Sequence, residues 1–99
     1  MDKTLLLYYV TMKTSDKKPW FVYLLKCSND SLYCGVTTDI NKRLKQHNGI
    51  LKGGAKYTRA HGPCALAYQE EVGDRSSACK REYEIKQMDK KTKLKLTKI

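Results

Sequence analysis

"VYLLKCSNDSLYCGVTT", residues 22–38, decides the fold. Two short apolar runs flank Ser28-Asn29-Asp30-Ser31, four residues that favour turns because their side chains bond to nearby backbone. The first run, "WFVYLLKC" over 20–27, is almost continuously apolar and suits a strand buried on both faces. The second, "LYCGVTT" over 32–38, is short enough to pair back on the first as a hairpin. Tyr23 and Tyr33 sit near the two centres, and Gly35 follows the second tyrosine closely. Both tyrosines and the glycine require an explanation.

Downstream, "TDINKRLKQHNG" reads as a helix, with Thr38 or Asp39 as its cap and Gly49 as its stop. At about 100° per residue, Ile40 and Leu44 face inward, and Arg43 and His47 fall on the same side. A basic residue at the edge of an apolar stripe ordinarily extends its head to water. Residues 50–63, "ILKGGAKYTRAHGP", hold three of the six glycines and read as a loop. Lys56, Tyr57, Arg59 and His61 on that loop suit contact with a nucleic-acid backbone.

"CALAYQEEV", 64–72, is the third strand, and "GDRS" turns the chain. "SACKREYEIKQM" then places Ala78, Ile85 and Met88 on one helical face, with Cys79 at its edge and Glu82 at its middle. A carboxylate there is costly unless it pairs with Arg or Lys or binds a cation. "DKKTKLKLTKI" closes the chain with five lysines, as a short helix or a tail lying on phosphates. The order strand, strand, helix, strand, helix defines a small α+β domain with a three-stranded, mainly antiparallel sheet flanked by helices.

The bulk numbers narrow the function. Ninety-nine residues make one domain, and 40% hydrophobic with 30% charged is a globular composition. Twenty Lys plus Arg against ten Asp plus Glu give a net charge of +10, which attracts polyanions, nucleic acid above all. Four cysteines at 27, 34, 64 and 79 form no C-x-x-C pair, so neither a zinc site nor a disulfide framework is implied. They read as small buried hydrophobes in a reducing cytoplasm. No apolar run is long enough to span a membrane, and "TLLLYYV" at 4–10 is too short for a signal core. Residues 1–19 read as an N-terminal arm and 20–99 as the domain.

Phosphodiester hydrolysis needs a cation on the phosphate, a base for the attacking water, and a metal ion at the leaving oxygen. Arginine, histidine or tyrosine, and glutamate suit those tasks. With these residues in this order the sequence resembles the GIY-YIG nuclease superfamily, in particular its small single-domain UPF0213-type members. The two strand motifs that name the family correspond to "FVY", 21–23, and "YCG", 33–35. Arg43 and His47 match the arginine and the frequent histidine of the helix that follows, and Glu82 in "KREYEIK" matches the metal-binding glutamate. The resemblance covers roughly residues 20–90.

It implies catalysis by Tyr23, Tyr33, Arg43, His47 and Glu82, with Glu82 holding a single Mg²⁺ or Mn²⁺ ion. It also implies close approach of the phosphate backbone at Gly35, with further charge from Lys26 and Lys42. Its implied substrate is DNA that is structured, damaged or single-stranded, and its implied form is a monomer, with a protein partner left open. Phe21 and Val22 replace the usual Gly-Ile, and "QMDKKTKLK", 87–95, lacks an asparagine that many members carry there. That departure sustains an alternative, a non-catalytic nucleic-acid-binding module on the same fold.

Overall fold

The computed structural model describes residues 18–98, so most of the expected N-terminal arm lies outside the described residues. Three strands, β1 (Trp20–Lys26), β2 (Leu32–Thr37) and β3 (Ala65–Val72), form one sheet in the order β2-β1-β3. Both pairings are antiparallel, as the sequence pattern predicts. β1 is the middle strand, which explains its nearly unbroken apolar run: alternate side chains are buried on opposite faces. Val22 and Leu24 face one way and Tyr23 and Leu25 the other, all of them 0–2% exposed.

The hairpin turn closes through Cys27 N–H to the Ser31 carbonyl at 2.9 Å and Asp30 N–H to the Cys27 carbonyl at 2.9 Å. Asp30 adopts φ 66°, a left-handed conformation that Asp tolerates better than most residues. The hairpin register sets Tyr23 directly opposite Gly35 and Leu25 opposite Tyr33. A bulge in the β1–β3 pairing lies between Leu24 and Leu25.

Four helices complete the described chain: α1 (Ile40–His47), α2 (Lys56–Ala60), α3 (Arg75–Gln87) and α4 (Lys90–Leu96). Asp39 caps α1 by accepting from Lys42 N–H at 3.1 Å, Asp74 caps α3 from Ser77 N–H at 2.7 Å, and Asp89 caps α4 from Thr92 N–H at 2.8 Å. The lysine-rich C-terminal segment is thus helical over most of its length. The sheet carries a core on each face. On one, Val22, Leu24 and Cys34 pack with Ala78 and Ile85 of α3, joined by Met88 and by Leu96 of α4. On the other, Tyr23, Leu25, Cys27 and Cys64 pack with Tyr33 and with Ile40 and Leu44 of α1.

Two expectations are corrected. Residues 50–63 are not loop throughout, because α2 occupies the middle of the stretch. A helix of five residues has no periodicity to detect and is too short to persist alone. Here Thr58 ties it into the core. The cysteines are not all buried: Cys79 lies on the exposed side of α3, while Cys27, Cys34 and Cys64 are 3–5% exposed.

Candidate active site

The face of the sheet beneath α1 gathers most of the residues singled out by the sequence. Tyr23 rises from the middle strand, and its hydroxyl meets His47 Nε2 at 2.8 Å. His47 closes the last turn of α1 and is completely buried. Its other ring nitrogen, Nδ1, lies 2.6 Å from Thr58 Oγ1. Thr58 is likewise completely buried, and its hydroxyl donates to the Ala55 carbonyl at 2.9 Å. A polar chain therefore runs from β1 through α1 to α2, which accounts for a histidine in a core position: both nitrogens are partnered.

Gly35 has a steric role on this face. A Cβ there would stand 2.6 Å from Tyr23 Cζ, so the Tyr23 ring occupies the space that any side chain at 35 would fill. The hairpin register and the absent side chain together aim the phenol at His47.

Electrostatics keep both partners neutral at pH 7. Burial pushes the Tyr23 hydroxyl up to about 12, although the Arg43 guanidinium beside it acts in the opposite sense. Burial, assisted by the Arg43 charge, lowers His47 to about 4. Arg43 is itself fixed: its Nη1 donates to the Gly53 carbonyl at 2.7 Å and to Gln46 Oε1 at 2.9 Å. It opens on a polar cleft of 230 Å³ that Lys42, Gln46 and Thr37 also line.

Tyr33 packs its ring edge-on against His47, with centroids 5.1 Å apart, and stacks on Tyr57 at 6.5 Å and 16°. The Tyr57 hydroxyl donates to Ser31 Oγ at 2.7 Å, which ties α2 to the hairpin turn. Lys56 and Arg59 stand exposed on α2. Tyr23, Tyr33, Gly35, Arg43, His47 and Tyr57 thus share one region, with Lys42 at the adjoining cleft.

Two residues stand apart from it. Strand alternation places Lys26 on the face opposite Tyr23, exposed and 3.5 Å from Asp30. Glu82 lies on α3, which covers that same opposite face, and pairs with Lys86 at 3.4 Å. Its charge reaches the sheet nonetheless: after burial, Glu82 is the next cause that holds the Cys34 thiol at about 11. Among the described residues, no group of three or more His, Cys, Asp or Glu side chains is gathered to hold a metal. Mg²⁺ retains several waters and binds through one or two carboxylates plus substrate phosphates, so a lone Glu82 fits such an ion only together with substrate.

Three contributors had no signal in the sequence pattern. Thr58 lies in a helix too short to show a period, Gln46 falls on the outward side of α1, and Gly53 acts through its carbonyl.

A three-stranded antiparallel sheet, with a tyrosine of its middle strand bonded to a histidine of the crossing helix, defines a small α+β class. The model of the GIY-YIG catalytic domain matches residues 19–95, and the chain belongs to the GIY-YIG family. It is 46% identical over 84 residues to a UPF0213 protein of Desulfotalea psychrophila, covering 85% of this chain and 76% of that one. A UPF0213 protein of Staphylococcus aureus is 49% identical over 79 residues, covering 79% and 93%. The solution NMR structure of a UPF0213 protein from Bacillus halodurans superposes with a TM-score of 0.51 at 38% identity, covering 81% of this chain and 83% of that one. A protein of E. faecalis, also solved by NMR, gives a TM-score of 0.57 at 37% identity, covering 83% and 85%. Among the described residues, no helix is long and apolar enough to cross a membrane.

Proposed function

We propose that this protein is a metal-dependent endonuclease that hydrolyses phosphodiester bonds of DNA in structured, damaged or single-stranded regions. The observation that carries the reading is the buried Tyr23–His47 hydrogen bond with the Arg43 guanidinium beside it. Arg43 binds the scissile phosphate and offsets charge as it develops on the phosphoryl oxygens. A water attacks phosphorus and gives its proton to the Tyr23 oxygen as the Tyr23 proton passes to His47 Nε2. The P–O bond to the leaving oxygen breaks with its electron pair on that oxygen, which takes a proton from solvent. His47 holds the water-derived proton as an imidazolium until it is returned to solvent. Concerted transfer avoids a free phenolate, which burial of Tyr23 disfavours.

Glu82, with water and the substrate phosphate, would hold the divalent ion that stabilises the leaving oxygen. β2 is an edge strand, so a nucleic acid laid across that edge touches both faces of the sheet. Lys42, Lys56, Arg59 and the exposed part of Tyr57 extend the contact along the backbone. Lys26 adds charge at the hairpin end.

One observation favours a second reading, a binding module that does not cleave: Glu82 is ion-paired to Lys86 and apart from the Tyr23–His47 pair. A panel of single strands, nicked duplexes, flaps and branched junctions decides between them. Purified protein is incubated with Mg²⁺, Mn²⁺ or chelator, and Arg43→Ala runs beside it. Metal-dependent cleavage that Arg43→Ala abolishes supports the nuclease. Salt-sensitive binding without cleavage of any substrate supports the module.

A further inference from the structure

His47 is a useful base only if one particular nitrogen lacks a proton, and the structure indicates what selects it. Tyr23 is 2% exposed, so its hydroxyl hydrogen needs an acceptor inside the protein. Arg43 beside it has no accepting atom. Among the described residues, the acceptor at bonding distance is His47 Nε2, at 2.8 Å. Nε2 must then carry no hydrogen, and the neutral ring carries its one proton on Nδ1. That N–H points at Thr58 Oγ1, 2.6 Å away, and the Thr58 hydroxyl hydrogen goes on to the Ala55 carbonyl at 2.9 Å. The side-chain hydrogens of Tyr23, His47 and Thr58 then each have an acceptor. The Ala55 amide N–H is also directed at Nδ1, at 3.4 Å, and by itself favours the opposite tautomer; it is the longer contact and yields to the 2.6 Å approach of Thr58 Oγ1.

We propose that Thr58 is a positioning residue of the site: by accepting from Nδ1–H it fixes the tautomer of His47 and directs a bare Nε2 at the Tyr23 hydroxyl. The catalytic meaning of this role rests on the hydrolytic reading above; the tautomer itself does not. When His47 takes the Tyr23 proton, the resulting imidazolium keeps its Nδ1–H on Thr58, so charge forms without reorganisation of the ring. Thr58→Val preserves shape and removes the acceptor. Thr58→Ser preserves the acceptor.

Two-bond ¹H–¹⁵N correlation spectra of the full chain at pH 7 read which ring nitrogen bears the proton. The wild type is expected to show Nδ1–H. Thr58→Val is expected to shift population to Nε2–H and to lower cleavage at least about 10-fold, below the full 10²–10⁴ worth of a general base. Thr58→Ser is expected to restore both. A wild-type Nε2–H tautomer overturns the proposal, even if the valine protein fails to fold. So does a folded valine protein that keeps Nδ1–H, or one that cleaves at the wild-type rate. If the wild type cleaves nothing, the hydrolytic reading fails and the spectra still decide what Thr58 does.

Discussion

Tyr23 and His47 stand 24 residues apart in sequence, yet the phenol hydroxyl lies 2.8 Å from the imidazole Nε2, and neither side chain is more than 2% exposed. A buried phenol and a buried imidazole satisfy each other, and in the proposed hydrolysis they relay the proton of the attacking water. Tyr23→Phe keeps the ring and removes the bond. It should lower cleavage by roughly 10²- to 10⁴-fold and cost about 1–2 kcal/mol of stability. Cleavage rates and chemical denaturation measured on the same sample test both; an active phenylalanine variant would remove Tyr23 from the mechanism.

Gly35 lies under that phenol. Gly35→Ala would force a Cβ to within 2.6 Å of Tyr23 Cζ, so the ring must move off His47. Overpacking of this kind costs about 1–3 kcal/mol. The substitution should lower the melting temperature and cleavage together, whereas the alanine in Gly73→Ala, where no atom lies within 4 Å of the new Cβ, meets open space. Equal melting temperatures for the two variants would contradict the close approach at Gly35.

Arg43 is held by the Gly53 carbonyl and by Gln46. Arg43→Lys keeps the charge but cannot reproduce the planar, forked donors. It should therefore retain salt-dependent DNA binding while losing most cleavage. Affinity by fluorescence anisotropy, set against cleavage rate, separates the two effects.

Glu82 and Lys86 form a partly exposed pair at 3.4 Å, and such pairs contribute at most about 1 kcal/mol. Glu82→Gln should fold normally and lose its response to Mg²⁺ or Mn²⁺. A Gln variant that still cleaves on addition of metal would show that the ion is held elsewhere.

The pH dependence follows from two buried groups. Between pH 6.5 and 4 the unfolded chain protonates His47 and the folded chain does not, so stability falls as pH falls through that window, by roughly 3 kcal/mol. Between pH 10 and 12 the unfolded chain ionises Tyr23 and the folded chain keeps it protonated, so stability falls again as pH rises. Arg43, Tyr23, Tyr33, Thr58 and the Ala55 amide are the polar and charged neighbours of the His47 ring. Denaturant melts across pH should show both losses, and His47→Gln should flatten the acid one.

The sequence by itself determined the elements and their faces. The apolar run at 20–27 marked a strand buried on both faces, Thr38 or Asp39 marked a helix start, and the period of 3.6 put Arg43 and His47 on the inward side of α1. These features are legible because burial of a face imposes a repeat on the residues that build it. Only the tertiary structure decided which side chains meet. Cross-strand register laid Tyr23 over Gly35, the path of residues 48–58 brought Thr58 to His47, and packing of α3 set Glu82 against Lys86 on the far face. No local repeat encodes such meetings, because each depends on a loop course and a register that are fixed only when both cores close on the sheet.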